Sequence, residues 1–151
     1  MSQKAATQGD KVISDATNQS KVWVQPPGSP PPNPVTVPFR YEGLIRQQLS
    51  QNVRAMGQFI AVVGSNATNS IPPASQTDVT SVGTILTSVI NNTGTIAQGS
   101  SSVFINGKPA ARHNDTAKTW DYSTPPSPGT AQEIFNAKVS VEKECTVFIG
   151  G

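Results

Sequence analysis

Residues 102–115 read SVFINGKPAARHND, and residues 52–65 read NVRAMGQFIAVVGS, so the two stretches align without a gap at an offset of 50 residues. Each stretch reads as a short strand, a tight turn that contains glycine, and a second strand. Glycine supplies the positive φ that two-residue hairpin turns need. Both stretches therefore predict β-hairpins. The aligned pairs include Val53 with Val103, Gly57 with Gly107, Gln58 with Lys108 and Ala61 with Ala111.

A third copy of this pattern is divided between the two ends of the sequence. Residues 145–151, CTVFIGG, repeat the outgoing strand, and residues 5–10, AATQGD, match the return strand 110–115, AARHND. The repeat predicts that these distant segments pair antiparallel as a third hairpin, which implies pseudo-threefold symmetry. Small alanines in the return strands would allow close packing around a narrow shared axis. The predicted hairpin-turn glycines are Gly57, Gly107, Gly150 and Gly151.

The composition favours an all-β protein. The chain has 151 residues with 12 glycines and 13 prolines, while charged residues make up 13% and aromatic residues 6%. This low-charge, turn-rich profile is typical of β or extended structure rather than helix. We expect one domain, residues 1–151, built from three pseudo-threefold β-hairpins with long proline-rich loops.

Four segments outside the repeats are expected to be loops or a solvated edge. Residues 25–38, QPPGSPPPNPVTVP, hold seven of the thirteen prolines and predict an extended or polyproline-like surface loop. Further Ser/Thr/Pro-rich loops are expected at 65–80 and 123–130. Glu142 and Glu144 would lie on one face of a strand, with Lys143 on the other.

Several classes of protein are disfavoured by charge and hydropathy. Eleven Lys and Arg against nine Asp and Glu give a net charge of +2 with no basic run, which argues against nucleic-acid binding. The first residues, MSQKAATQGDKV, have no apolar signal region, and no apolar run approaches the ~20 residues needed to cross a bilayer. One cysteine excludes an internal disulfide. We expect synthesis and assembly in a cytosol.

The tetrapeptide Pro109-Ala110-Ala111-Arg112 identifies a family that the chain resembles. Together with the preceding GSSSVFINGK and the following Asn114-Asp115, it resembles the PAAR proteins. Gln8-Gly9-Asp10, residues 37–53 and IAVVGSNATNS at 60–70 resemble the longer PAAR-like branch found in contractile injection systems and phage tails. The resemblance covers nearly the whole chain.

The resemblance implies a structural role. Family members form a small cone of β-hairpins that caps a trimeric β-helical spike, VgrG-like or phage-hub-like, in a type VI secretion system, an extracellular injection particle or a phage tail. It implies assembly on a baseplate in the bacterial cytoplasm and piercing of a target membrane when the sheath contracts. The threefold repeat predicts one copy of the chain per trimer. If the particle delivers an effector, we expect that effector to be a separate chain. No enzymatic activity is expected.

The family also implies a structural metal, and here the chain departs from the pattern. Zinc sites of this kind need about four nitrogen or sulfur ligands, and family members supply about three histidines and a cysteine. This chain has TNQSKV at 17–22, Val37, Ser70 and Trp120 where those ligands are expected. Loss of the whole set predicts a metal-free tip whose apex is filled by apolar side chains, with Ile71 and Trp120 as candidates. His113 and Cys145 are only weak metal candidates.

Two other functions stay open. His113 and Cys145 could form a base and a nucleophile in a small enzyme or stand-alone toxin, although no oxyanion-hole motif or orienting acid is placed beside either residue. A binding module that recognises glycans or peptides through the proline-rich segment is the third reading.

Overall fold

The computed structural model describes residues 1–14, 19–25, 27–28, 31, 33–38, 41–70, 84–85, 88–91, 93–119, 121–124, 127–133 and 137–151. Side chains are described for 1–14, 27–28, 31, 41–68, 70, 93–119 and 137–151. Every regular element within these ranges is a β-strand. The all-β prediction is confirmed.

The strands are two to seven residues long. Along the first half of the chain they are β1 (Gln3–Lys4), β2 (Lys11–Ser14), β3 (Gln19–Gln25), β4 (Asn33–Pro38), β5 (Tyr41–Gln47), β6 (Arg54–Ala55), β7 (Gln58–Phe59) and β8 (Asn66–Asn69). Along the second half they are β9 (Thr84–Ile85), β10 (Ser88–Asn91), β11 (Thr93–Ile96), β12 (Phe104–Ile105), β13 (Lys108–Pro109), β14 (Thr116–Lys118), β15 (Asp121–Thr124), β16 (Ser127–Glu133), β17 (Ala137–Ser140) and β18 (Phe148–Ile149).

Six strands close into an antiparallel barrel in the order β11-β14-β17-β2-β5-β8. Strands β2, β8 and β14 each follow a repeat, and β5, β11 and β17 each precede one. Each copy therefore contributes one strand that leads to its hairpin and one that leads away from it. This barrel was not predicted, because five of its six strands have only three or four residues, which is too short for a clear two-residue alternation.

Tyr41 of β5 is the largest fully buried side chain among the described residues. Tyr41 is 1% exposed, and its hydroxyl accepts a hydrogen bond from the Gly94 backbone nitrogen (2.5 Å) and donates one to the Ala67 carbonyl. A Cβ built at Gly94 would lie 2.5 Å from that hydroxyl oxygen, so glycine is required there. Burial raises the pKa of Tyr41, which keeps the phenol protonated as a donor at neutral pH.

The two internal repeats form the predicted hairpins. Strand β6 pairs with β7, and β12 pairs with β13 in the same register. Both turns have positive φ at both central residues, 52° and 78° in Met56-Gly57 and again in Asn106-Gly107. Positive φ at both central residues is typical of a type I′ turn, whose twist matches that of the two flanking strands.

The third hairpin joins the two ends of the sequence. Strand β1 pairs antiparallel with β18, with Gln3 opposite Ile149 and Lys4 opposite Phe148. The Ala5 nitrogen then donates to the Val147 carbonyl at 2.9 Å. The predicted pairing of the ends is confirmed, and it superimposes Lys4 on Pro109 of the second copy and on Phe59 of the first.

Three alanines form a closed ring of backbone hydrogen bonds on the pseudo-threefold axis. The Ala6 nitrogen donates to the Ala111 carbonyl (3.0 Å), Ala111 to Ala61 (2.9 Å), and Ala61 to Ala6 (2.9 Å). All three residues are 0% exposed. We call this the alanine ring. A larger side chain at these positions would have to displace the neighbouring backbone.

The segments between the barrel strands contain two further sheets, and the three loop predictions for these segments were wrong for the residues that form strands. Residues 26, 29–30, 32, 71–80 and 125–126 of the predicted loops lie outside the described residues. One sheet has the order β4-β3-β9 and the other β10-β15-β16. Residues 33–38 of the proline-rich segment pair with β3 rather than forming a polyproline loop. Strand β4 lies at the edge of its sheet, where proline's missing N–H is tolerated. The loops predicted within 65–80 and 123–130 include residues of β8, β15 and β16.

The strand predicted around Glu142 is also wrong. Strand β17 ends at Ser140, and 141–147 carry no regular structure. Lys11 Nζ lies 3.0 Å from a Glu42 carboxylate oxygen and 3.6 Å from one of Glu142. The hydrogen bond to Glu42, followed by the charge of Glu142, raises the pKa of Lys11. Glu142 therefore belongs to a surface ion-pair group that links the neighbouring strands β2 and β5 to the segment that follows β17.

Among the described residues, no helix has the length and hydropathy that would let it cross a membrane.

Deleting residues 1–10 should abolish cooperative folding, because it removes β1, one member of the alanine ring and the buried Asp10. Deleting only Met1 and Ser2, which are both exposed, is the matched control and should leave the midpoint unchanged. Thermal unfolding followed by far-UV circular dichroism measures both. A ten-residue deletion that melts within about 2 °C of the full-length protein would contradict the closure of the third hairpin.

Candidate functional site

The three hairpins and the alanine ring lie together at one end of the barrel. Each hairpin follows a strand that runs toward this end (β5, β11, β17) and precedes one that leaves it (β2, β8, β14). In sequence, strands β3 and β4, β9 and β10, and β15 and β16 each come between a barrel strand that leaves this end and the next barrel strand that returns to it. The molecule therefore has a threefold hairpin end and an insertion end.

Each return strand reaches a tight turn in which a side chain holds the backbone. The Thr7 nitrogen donates to Asp10 Oδ2 at 2.8 Å, and the Arg112 nitrogen donates to Asp115 Oδ2 at 2.7 Å. In the remaining copy the acceptor is the Ser65 hydroxyl, which receives the Val62 nitrogen at 3.0 Å. The equivalent third residues, Gly9, Gly64 and Asn114, all have positive φ.

Two of these turns bury a carboxylate, and each carboxylate has its own cation. Asp115 is 8% exposed and accepts from Arg112 Nε (3.2 Å) and Nη2 (3.0 Å). Asp10 is 4% exposed, and Lys143 Nζ lies 3.3 Å from its Oδ1. A buried carboxylate is tolerated when it is paired and hydrogen-bonded.

Arg112 also connects the second copy to the third. Its Nη1 donates to the Gly150 carbonyl (3.2 Å) and to the Gly151 carbonyl. The Ser100 hydroxyl donates to the same Gly150 carbonyl at 2.5 Å. Because the strands of the third hairpin come from opposite ends of the sequence, no two-residue turn links them. Arg112 instead fixes the glycine pair by hydrogen bonds.

The four residues of the Pro109–Arg112 motif thus have different positions. Pro109 lies in β13 opposite Phe104. Ala110 forms an isolated β-bridge with Val62, and Ala111 belongs to the alanine ring. Arg112 donates hydrogen bonds to the third hairpin. Of the predicted turn glycines, Gly57 and Gly107 lie within the two-residue turns of the first two hairpins. The carbonyls of Gly150 and Gly151 accept hydrogen bonds from Arg112.

The outer surface of the hairpins exposes aromatic rings. Phe104 and Phe148 occupy equivalent positions in β12 and β18 and are 57% and 56% exposed. At the same position in β6 stands Arg54, whose guanidinium carbon lies 4.2 Å from the centroid of the Phe59 ring. Each hairpin therefore carries one phenylalanine.

Clefts separate the first hairpin from its two neighbours. One has a volume of about 570 Å³ and is lined in part by Asn52, Asn106 and Lys108. The other, about 540 Å³, is lined in part by Met56 and Lys143. At the third equivalent position, Gly150 and Gly151 lie against Ser100 and Ser102.

His113 and Cys145 are each bonded to the backbone. His113 Nδ1 accepts a hydrogen bond from the Val141 nitrogen at 3.0 Å. The Cys145 thiol is 9% exposed and donates to the Val147 carbonyl at 3.0 Å. The part of the chain that the structure describes holds no group of three or more His, Cys, Asp and Glu residues suited to a metal ion. Ile71 and Trp120, the predicted apex residues, lie outside the described residues.

Sequence reasoning missed the two charge pairs. The alignment of Asp10 with Asp115 did indicate equivalent carboxylates, but their cations are not equivalent: Arg112 lies three residues before Asp115, whereas Lys143 comes from the other end of the chain. Positions equivalent to Arg112 hold Thr7 and Val62, so the repeat itself did not point to Lys143.

Comparison with known proteins identifies a family. The family model described as PAAR motif matches residues 40–119, just over half of the chain. The matched segment contains β5 to β14, and thus the first two hairpins, whereas the third lies outside it. No curated protein matches the chain, and neither does any solved structure.

Replacing Arg112 should destabilise the protein through Asp115. We expect Arg112→Ala to lower the free energy of unfolding by about 3 kcal/mol, because it leaves a buried carboxylate without its cation. Arg112→Lys should lose less, since it keeps the charge without the planar fork. Urea unfolding measures the differences.

Arg54→Ala, which removes an exposed arginine of the first hairpin, is the matched control and should change stability by less than about 1 kcal/mol. The double variant Arg112→Ala/Asp115→Ala should lose less unfolding free energy than the two single variants lose together, because it no longer contains a buried carboxylate without a cation. Equal effects of Arg112→Ala and Arg54→Ala would contradict the role of Arg112.

Proposed function

The chain belongs to the PAAR motif family, and from this premise we propose that it is the tip protein of the central spike in a contractile injection system. The observation that carries the proposal is the threefold hairpin end. A single chain that presents three equivalent hairpins around one axis can match three equivalent subunits of a partner at once. We propose a trimeric β-helical spike as that partner, with one copy of the chain per trimer.

The orientation of the tip follows from the two ends of the barrel. The hairpin end, with its exposed rings and short strands, would face the spike. The insertion end would then point away from the spike and enter the target envelope first when the sheath contracts. We further propose assembly in the bacterial cytoplasm on a baseplate, and effector cargo, where present, on a separate chain.

A structural role also agrees with the positions of His113 and Cys145. The backbone hydrogen bonds of both side chains support structural roles, and neither bond supplies an orienting acid or an oxyanion-binding site. We propose no enzymatic activity for the chain.

Native mass spectrometry of the tip with the trimeric spike protein encoded beside it should give a complex of one tip chain and three spike chains. The pseudo-threefold monomer already fills the three equivalent positions, so there is no room for a second copy. The spike protein alone is the control. A complex with three tip chains per trimer would contradict the proposal, as would the absence of any complex at micromolar concentrations.

We also propose that this tip carries no structural zinc. The residues present do not fit the family's metal site. The family's ligand positions hold Val37, Ser70 and Trp120 in this sequence, which are neither histidine nor cysteine. His113 lies in the turn after the second return strand and Cys145 in the irregular segment before β18, and each side chain is hydrogen-bonded to the backbone.

Elemental analysis by inductively coupled plasma mass spectrometry should find well under one zinc per chain in protein purified without added metal. Because all the family's ligands are replaced, chelator treatment should leave the melting temperature unchanged. About one zinc per chain, or a melting temperature that falls with chelator and recovers with zinc, would overturn this proposal and implicate other ligands.

A further inference from the structure

We propose that the hairpin end recognises its partner through a ring of three aromatic side chains and three cations, and hence that each partner subunit offers an apolar recess and that the facing surface of the trimer is acidic. This inference rests on the proposed function, because it specifies the chemistry of the same docking end. We call the set the docking ring; its members are Lys4, Arg54, Phe59, Phe104, Lys108 and Phe148.

The aromatic half of the ring is not explained by folding. Phe104 and Phe148 are more than half exposed, although the residues next to them in the strands, Ile105 and Ile149, are 8% and 5% exposed. The strands thus bury one face in the core and present a phenyl ring on the other. Exposed rings at equivalent positions indicate a surface that another protein covers.

The first hairpin supplies the same chemistry in a different register. Its outgoing strand has Arg54 in place of phenylalanine, and its ring comes instead from Phe59 in the return strand, under the guanidinium. The recess on the partner must therefore accept a bare ring at two positions and an arginine-covered ring at the third. Arginine and phenylalanine are both residues enriched at protein interfaces.

The charge of the hairpins has one sign. Hairpin 54–59 contains Arg54, hairpin 104–109 contains Lys108, and the third, 148–151 with 3–4, contains Lys4; none of them contains Asp or Glu. The three cations stand at different positions of the repeat: Arg54 is equivalent to Phe104, Lys108 to Gln58, and Lys4 to Pro109. They give the docking end a shared positive charge, which is complementary to an acidic surface on the trimer. A partner with basic residues there would be rejected by like-charge repulsion.

An anionic membrane is the other surface that attracts aromatic and cationic side chains, but the ring suits it poorly. Three cations contribute only modest attraction to a lipid surface, where each is worth about 1 kcal/mol. The exposed rings at equivalent positions of two hairpins, Phe104 and Phe148, instead match discrete recesses on a symmetric protein. The experiment distinguishes the two surfaces.

The experiment measures binding of the full-length tip to the trimeric spike protein by isothermal titration calorimetry at two salt concentrations. We expect Phe104→Ala and Phe148→Ala each to weaken binding by about tenfold. The triple variant Lys4→Glu/Arg54→Glu/Lys108→Glu should weaken it at least as much and should reverse the salt dependence. The altered side chains are exposed or half-buried, and the thermal unfolding of each variant checks that it is folded.

Two barrel-surface variants are the matched controls, one apolar and one charged. Leu44→Ala removes an exposed apolar side chain of β5, and Lys138→Glu reverses an exposed cation of β17. Both should bind within about twofold of the native protein.

The outcomes separate the inference from the proposed function. If folded ring variants bind as the native protein does in a complex of one tip and three spike chains, the docking ring is wrong and the tip role stands. If the native protein does not bind the spike protein at all, both fail. Sedimentation with vesicles of phosphatidylglycerol, lost in the charge-reversal variant while spike binding is kept, would assign the ring to a membrane and overturn the inference.

Discussion

The alanine ring is the constraint on which the rest of the structure depends. Three backbone N–H groups and three carbonyls satisfy one another around the axis with no space for more than a methyl group at Ala6, Ala61 and Ala111. Buried backbone groups must be hydrogen-bonded, and here each copy satisfies the next. No copy can therefore complete its own core without the other two, which makes the threefold arrangement a condition of folding.

Outside the ring, the three copies reach the same backbone geometry by different chemistry. Asp115 is neutralised by the arginine at the start of its own turn, Asp10 by a lysine from elsewhere in the chain, and Ser65 needs no cation. In each case a side-chain oxygen accepts a hydrogen bond from the backbone nitrogen three residues earlier. The position requires an acceptor, while the charge of the acceptor varies with the cation within reach. A threefold fold thus has no need of three identical sequences.

The sequence predicted the hairpins well and the barrel not at all, for a physical reason. Hairpin turns depend on local chemistry, the glycine at Gly57 or Gly107, and this is visible in a single copy. Barrel closure depends on pairing between segments as distant as Thr93–Ile96 and Thr116–Lys118, with small residues such as Gly94 chosen to fit around Tyr41. The same holds for the site: aligned residues were recognised, whereas the pairing of Lys143 with Asp10 needs the folded chain.

The unequal third hairpin explains why only one copy has an arginine at the end of its return strand. In the first two hairpins a covalent two-residue turn fixes the ends of the strands. In the third, the strand ending at Ile149 and the strand beginning at Gln3 are far apart in sequence, so no covalent turn holds Gly150 and Gly151, and the Ser100 hydroxyl reaches only the Gly150 carbonyl. Arg112 is the residue of the adjacent copy that reaches those glycine carbonyls, and glycine allows the close approach. An arginine at Thr7 or Val62 would meet a closed turn and have nothing equivalent to hold.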